Sequence, residues 1–300
     1  MTATPPIVET GGVVEARGLR KSFGKTEILR GLSFTIPAGR IYGLIGHNGA
    51  GKTTTLNALL GLTDFEGTIS VLGLNPFKHR AQVMEDVAFI SDVASLPRFL
   101  KVSELFDLVG DIHPKFSRHK AMQFLQGTDL KPGLKIKHLS KGMLAQLHIA
   151  VVMAIDAKLL VLDEPTLGLD ITYRKTFYKR LLEDYMNEER TVLITTHQVD
   201  EIEFLLTDIM FIRDGELILD VPVDTIGDIY NQLIANGESV AKAKSLQPLF
   251  AERHLGRDVM IFENVDEEKL APLGELSTPS LSDLFVALMQ RQTNAQGEQL

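Results

Sequence analysis

Eight consecutive residues, Gly46, His47, Asn48, Gly49, Ala50, Gly51, Lys52 and Thr53, fit the phosphate-binding pattern G-x-x-x-x-G-K-[ST]. Each residue type has a physical reason to be there. Glycines let backbone N–H groups close around an oligophosphate, and a helix that opens behind them adds positive potential. Lys52 would neutralise phosphate charge, and the Thr53 hydroxyl can ligate Mg²⁺. The alternative is a chance turn in a chain with 24 glycines among 300 residues. Context argues for binding: a β-type run over residues 40–45 leads in, and Thr54, Leu56, Leu59 and Leu60 continue at helical spacing behind.

A second polar group is Asp163 and Glu164, which directly follow the apolar run of residues 159–162. Carboxylates at the carboxyl end of a buried parallel strand lie where open α/β sheets place their ligands. Asp163 suits a metal ligand and Glu164 a base that polarises an attacking water. Taken alone, an Asp-Glu pair before Pro165 reads as a solvated strand end, and the phosphate loop in the same chain reverses that balance. Ser140 precedes a helical run and, in isolation, is a good N-cap. His197 ends the β-branched run 191–196 and, alone, is an ordinary polar residue at a strand end. Asp170 reads equally as the N-cap of the next helix. Phe23 could pack in a core or offer its ring face to a planar ligand.

The elements that must carry these residues are legible in outline. Residues 13–34 hold short β-rich runs broken by Gly18, Gly24 and Gly31. Helices are predicted over 102–109, 118–125 and 172–185, and the last separates two strand-like runs, giving a βαβ unit with a buried parallel sheet. Past Gly215, residues 216–220 predict a strand, 226–234 a helix and 235–237 a break, with a soft boundary near Val221. Leu281, Leu284, Phe285, Leu288 and Met289 make an amphipathic helical stripe, expected to pack on its own domain in preference to a partner. No internal repeat or low-complexity run is found.

Composition bounds the rest. A hydrophobic fraction of 44% over this length supports one large domain or one domain plus an appendage. The longest apolar stretches, 149–155 and 159–162, fall far short of the roughly 20 residues that cross a bilayer. Pro5, Pro6, Gly11 and Gly12 mark residues 1–12 as a flexible tail and not a signal peptide, so a cytosolic location is expected. The absence of cysteine removes disulfide, thiolate-metal and thiol catalysis, and a formal charge of −8 argues against broad nucleic-acid binding.

In order along the chain, Gly46 to Thr53, the stretch Leu139, Ser140, Lys141, Gly142 and Met143, then Asp163 with Glu164, Gly168 to Asp170 and His197 together resemble the ATP-binding cassette (ABC) family over about residues 13–220. The matched motifs are Walker A, signature, Walker B, D-loop and switch histidine. The resemblance implies an α/β fold of the P-loop NTPase type: a mostly parallel core sheet, an N-terminal antiparallel β subdomain and a helical subdomain at about 92–150. Residues 221–300 would form a small α+β extension. It implies ATP and Mg²⁺ as ligands. Phe23, residues 46–53 and Thr54 would hold the nucleotide, Thr53, Asp163 and Asp92 the metal, and Glu164 with His197 would be catalytic. It further implies a head-to-tail dimer with two nucleotides at the interface, in which Ser140 and Gly142 reach the partner's nucleotide and Asp170, also counted with the nucleotide-binding residues, joins the two sites. A separate transmembrane permease would be driven from the inner face of the membrane.

Three positions depart from the family pattern. Asp92 stands where a glutamine is usual, and Lys141 and Met143 replace the commoner glycine and glutamine of the signature. Residues 279–288 also resemble the tail of ATPases from type-2 exporters. Three alternatives differ in class: a soluble ABC-type factor on ribosomes or DNA, an importer ATPase, and a module that binds ATP without turning it over. A single phosphate loop and the lack of a coiled-coil insertion disfavour the first; the tail disfavours the second.

Overall fold

The computed structural model describes residues 11–91, 96–186, 189–254 and 256–297. Three sheets organise them. The first is a three-stranded antiparallel sheet of β1 (Gly12–Phe23), β2 (Thr26–Pro37) and β4 (Glu66–Val71), with β1 in the middle. Its strands alternate buried and exposed residues, as expected where one face meets the core and the other meets water. Of the expected N-terminal tail, residues 1–10 lie outside the described residues, while Gly12 already pairs with Pro37.

The central sheet has six strands in the order β5 (Val87–Ile90), β6 (Leu159–Asp163), β7 (Thr191–Thr196), β3 (Ile41–Ile45), β8 (Asp208–Arg213) and β9 (Glu216–Pro222). All pairings are parallel except β8 with β9. The strands β3, β6 and β7 are buried at every residue, which is why they read as continuous apolar or β-branched runs and not as alternation. Helices α1 (Lys52–Leu59), α2 (Arg80–Met84) and α6 (Ile171–Arg180, continued by a π turn over Leu181–Tyr185) pack around this sheet. The expected helix over 172–185 is thus present, with a wider last turn.

Helices α3 (Val102–Ile112), α4 (Arg118–Phe124) and α5 (Lys141–Met153) form a separate helical layer. Val102, Leu105, Phe106, Ala121, Leu147 and Ala150 give this layer its own buried cluster. A third, antiparallel sheet runs β11 (Phe250–His254), β12 (Arg257–Glu263), β10 (Tyr230–Ala235) and β13 (Glu275–Ser277), accompanied by α7 (Ile226–Ile229), α8 (Ser239–Ser245), α9 (Glu267–Leu270) and α10 (Leu281–Gly297).

One sequence expectation is corrected here. Residues 226–234 are not a helix: the turn α7 ends at Ile229 and the strand β10 starts at Tyr230. Ile226, Ile229, Tyr230, Leu233 and Ile234 fall at helical spacing, but β10 is an inner strand with both faces covered, so apolar residues occur at both parities. Leu233 and Ala235 face a cluster with Met260, Phe262 and Leu270, whereas Tyr230 joins the main core on the other side.

The stripe on α10 faces inward. Leu281, Leu284 and Leu288 are buried in the main core with Ile209 and Phe211. The Phe285 ring meets Phe211 edge-on at 5.2 Å between centroids, a favoured aromatic geometry. Arg213 Nη1 donates to the Leu288 carbonyl at 2.8 Å, and the Leu281 N–H at the start of α10 donates to the Glu203 carboxylate at 3.1 Å. Among the described residues no helix is long and apolar enough to cross a membrane.

Candidate functional site

The loop between β3 and α1 turns on two glycines in left-handed conformation, Gly49 at φ 84° and Gly51 at φ 111°. A side chain at Gly51 would also come within 2.8 Å of Leu29 Cδ2, and one at Gly46 within 2.5 Å of the Ile212 carbonyl. Glycine is therefore required by space as well as by torsion. No side chain caps α1 at Gly51, so the first-turn N–H groups remain available to an anion. Lys52 is 93% buried and its ammonium donates to the carbonyls of Gly46 at 2.6 Å and His47 at 3.3 Å. Burial lowers the Lys52 pKa, against the pull of Glu164 and Asp163 that favours its charged form.

The loop faces the carboxyl end of β6. Asp163 is buried, and the Thr53 hydroxyl donates to its Oδ2 at 3.0 Å while Thr195 on β7 donates to its Oδ1 at 2.5 Å. Glu164 sits in the left-handed region at φ 47°, which turns its side chain back over the loop. There its Oε1 lies 2.8 Å from His197 Nδ1 and 3.9 Å from the Lys52 ammonium, and its Oε2 accepts from Thr196 at 3.4 Å. Phe23, His47, Asn48, Gly49, Thr54 and Asp163 border one cleft of about 310 Å³ with Lys52 and Glu164. Phe23 is 56% exposed and lies at the end of β1 with Lys21 Nζ 4.9 Å above its ring, so it is not a core residue. Ala50 is fully buried under the loop, and the His47 ring is 3.7 Å from Asp214.

Ser140, Gly142 and Asp170 are elsewhere. They line a second cleft of about 510 Å³ that shares no residue with the first. Ser140 caps α5 by accepting from Met143 N–H at 3.2 Å, and Asp170 caps α6 by accepting from Tyr173 N–H at 2.9 Å. The capping alternatives weighed for both residues thus hold as geometry. Asp92 lies outside the described residues. Thr195 and Thr196 were not singled out from the sequence. A pair of hydroxyl residues ending an otherwise apolar strand beside Asp163 was the signal available.

These positions gather a buried ammonium, a helix start without a side-chain cap and a carboxylate–imidazole contact around one cleft. A profile of the ABC transporter family matches residues 29–167. The chain is 36% identical over 214 residues, 69% of its length and 70% of the other's, to the Nod factor export ATP-binding protein I of Burkholderia lata. It is 27% identical over 280 residues to the ABC transporter ATP-binding protein YtrB of Bacillus subtilis, covering 92% of this chain and 95% of that one. A solved ATP-binding subunit of an ABC transporter superposes with a TM-score of 0.65 at 23% identity, over 72% of this chain and 92% of that one. The chain belongs to the ABC transporter family. It is an ATP-binding, ATP-hydrolysing subunit that works with a transmembrane partner.

Proposed function

We propose that this protein is the motor of an exporter, working as a dimer that closes on ATP at the inner face of the membrane. The observation that carries the reading is the Glu164–His197 contact at 2.8 Å, set beside the Lys52 ammonium in the phosphate-loop cleft. Glu164 is the base that takes the proton of the attacking water, and His197 holds its carboxylate and faces the terminal phosphate. Lys52 leaves its loop carbonyls to neutralise phosphate charge, and Phe23 stacks on the base.

Thr53 and Asp163 fit Mg²⁺: a hydroxyl and a carboxylate 3.0 Å apart at the cleft floor suit an ion that takes one or two protein ligands and completes its shell with phosphates and water. When bound there, Mg²⁺ supplies charge stabilisation to the phosphates. The dimer is supported by the signature residues Ser140 and Gly142 lining a different cleft of the same subunit, where a second ATPase subunit would bring them to its nucleotide. The export direction is supported by the Burkholderia relative, an export ATP-binding protein.

The test is Glu164→Gln. Glutamine keeps the shape and an acceptor for His197 but loses the basic charge. Mg²⁺-dependent ATP turnover is expected to fall about 10²- to 10⁴-fold with ATP binding retained, and the mass in ATP is expected to rise to that of a dimer. Near-normal turnover in this variant removes Glu164 from the base role.

A further inference from the structure

Glu164 lies between two loops, residues 165–170 on one side and 197–202 on the other, and α6 reaches both. The Tyr178 hydroxyl is 3.2 Å from Thr166 Oγ1 in a buried contact. Burial pushes the Tyr178 pKa up to about 12, so the hydroxyl stays protonated at working pH. One turn nearer the start of α6, Arg174 donates from Nη2 to the Leu169 carbonyl at 3.2 Å and pairs through Nη1 with the Glu201 carboxylate. Both partners of that pair are largely buried, at 21% and 23% side-chain exposure. The Arg174 Nε is buried with no hydrogen-bond partner, so the other two nitrogens alone orient the guanidinium.

Glu201 is held from its other side by the residue next to the switch histidine. With its amide oriented to donate, Gln198 places its nitrogen 2.8 and 3.2 Å from the two Glu201 oxygens. The Gln198 backbone N–H donates to Thr196 Oγ1 at 3.0 Å, and Thr196 in turn donates to Glu164. An unbroken chain of polar contacts therefore runs from the Leu169 carbonyl through Arg174, Glu201 and Gln198 to the His197–Glu164 pair.

We infer that Arg174 and Glu201 are a positioning pair: anchored through Arg174 on α6, they fix the turn at Gln198 and so hold the His197 ring at hydrogen-bond distance from Glu164. Neither residue lines the nucleotide cleft, and neither takes part in the chemistry. Arginine is needed because a planar fork serves two acceptors at once, the Leu169 carbonyl and the Glu201 carboxylate. A lysine ammonium on a flexible stem can reach one. The inference rests on the roles proposed above for Glu164 and His197.

The experiment compares Arg174→Ala, Arg174→Lys, Glu201→Gln, Glu201→Ala, the double alanine variant and His197→Ala in the full chain, reading kcat and KM for Mg²⁺-ATP and the unfolding midpoint. A misplacement of about 1 Å at a reacting group can cost about 10²-fold, so kcat of Arg174→Ala should fall about 10- to 100-fold. KM should stay within about threefold, since loop binding is untouched. The double variant should lose no more than the worse single variant, and Arg174→Lys should recover part of the loss. If Arg174→Ala does not fold, Glu201→Gln carries the same expectation at smaller size. Near-normal kcat in Arg174→Ala, with turnover lost in His197→Ala, overturns the pair's role and leaves the site reading intact. Independent, additive losses in the double variant also overturn it. Turnover retained in His197→Ala overturns the site reading and this inference with it.

Discussion

Replacing Thr195 by valine isolates one buried contact of the site. Thr195 is fully buried on β7, directly opposite Asp163 in the parallel register, and its hydroxyl bonds Asp163 Oδ1. Valine keeps the shape and presents a methyl group to that carboxylate oxygen. Hydrogen bonds to charged groups contribute about 1.5–3 kcal/mol, so the free energy of unfolding should fall by about that amount. The loss also removes one of the hydrogen bonds that orient Asp163, while its other oxygen still accepts from Thr53. Removing an outer contact of a metal ligand costs about 10- to 100-fold in metal affinity, which at about 1.4 kcal/mol per decade is about 1.4–2.8 kcal/mol, the same size as the bond removed. The expected result is a Mg²⁺ half-saturation for ATP turnover raised by that factor, with Mg²⁺-free nucleotide affinity little changed. Turnover against free Mg²⁺ gives the first quantity. Because the chain has no tryptophan, a fluorescent ATP analogue gives the second. Lower stability with unchanged Mg²⁺ half-saturation would show that Thr195 only supports the fold, and no change in either would show that the contact contributes nothing.

Two further variants probe buried positions. Lys52→Ala should weaken ATP binding about 10- to 150-fold, the equivalent of charge-assisted bonds to phosphate, as read by nucleotide titration. Because burying an ammonium is costly, and two carbonyls with a carboxylate at 3.9 Å offset that cost only in part, the same variant should unfold at equal or higher denaturant concentration. Leu284→Ala, at a fully buried position of α10, should lower the free energy of unfolding by about 2–5 kcal/mol in a chemical denaturation followed by circular dichroism. A loss below about 1 kcal/mol would mean that α10 is not packed as described.

The site was legible in the sequence where chemistry is local. A phosphate loop needs its glycines, lysine and threonine within eight positions, so Gly46 to Thr53 identify themselves. The strands β3, β6 and β7 were legible because a parallel strand covered on both faces is apolar throughout. Long-range contacts were not legible. Arg174 and Glu201 are 27 positions apart, counted from their numbers, and no periodicity joins them; only the packing of α6 beside the switch loop makes them partners. Thr195 was read as a strand former, and its hydroxyl acquires a role only through the register that places it opposite Asp163. The strand β10 failed for a related reason. Helical spacing and two-sided burial produce the same apolar pattern over so short a run, and its pairing with β12 and β13 decides between them.

The docking of α10 on Phe211 has a consequence for how the protein is made. Phe211 emerges from the ribosome 70 positions before Leu281, and at roughly 5–20 residues per second the core it belongs to stays open for roughly 4–14 s after Phe211 itself has been synthesised. During that interval a complete phosphate loop and both site carboxylates already exist on a chain that cannot yet close its main core. A chain broken anywhere between β9 and α10 keeps this apolar surface uncovered, a form that proteases and chaperones recognise. Completion of the main core thus waits on α10, the last helix of the described chain to be synthesised.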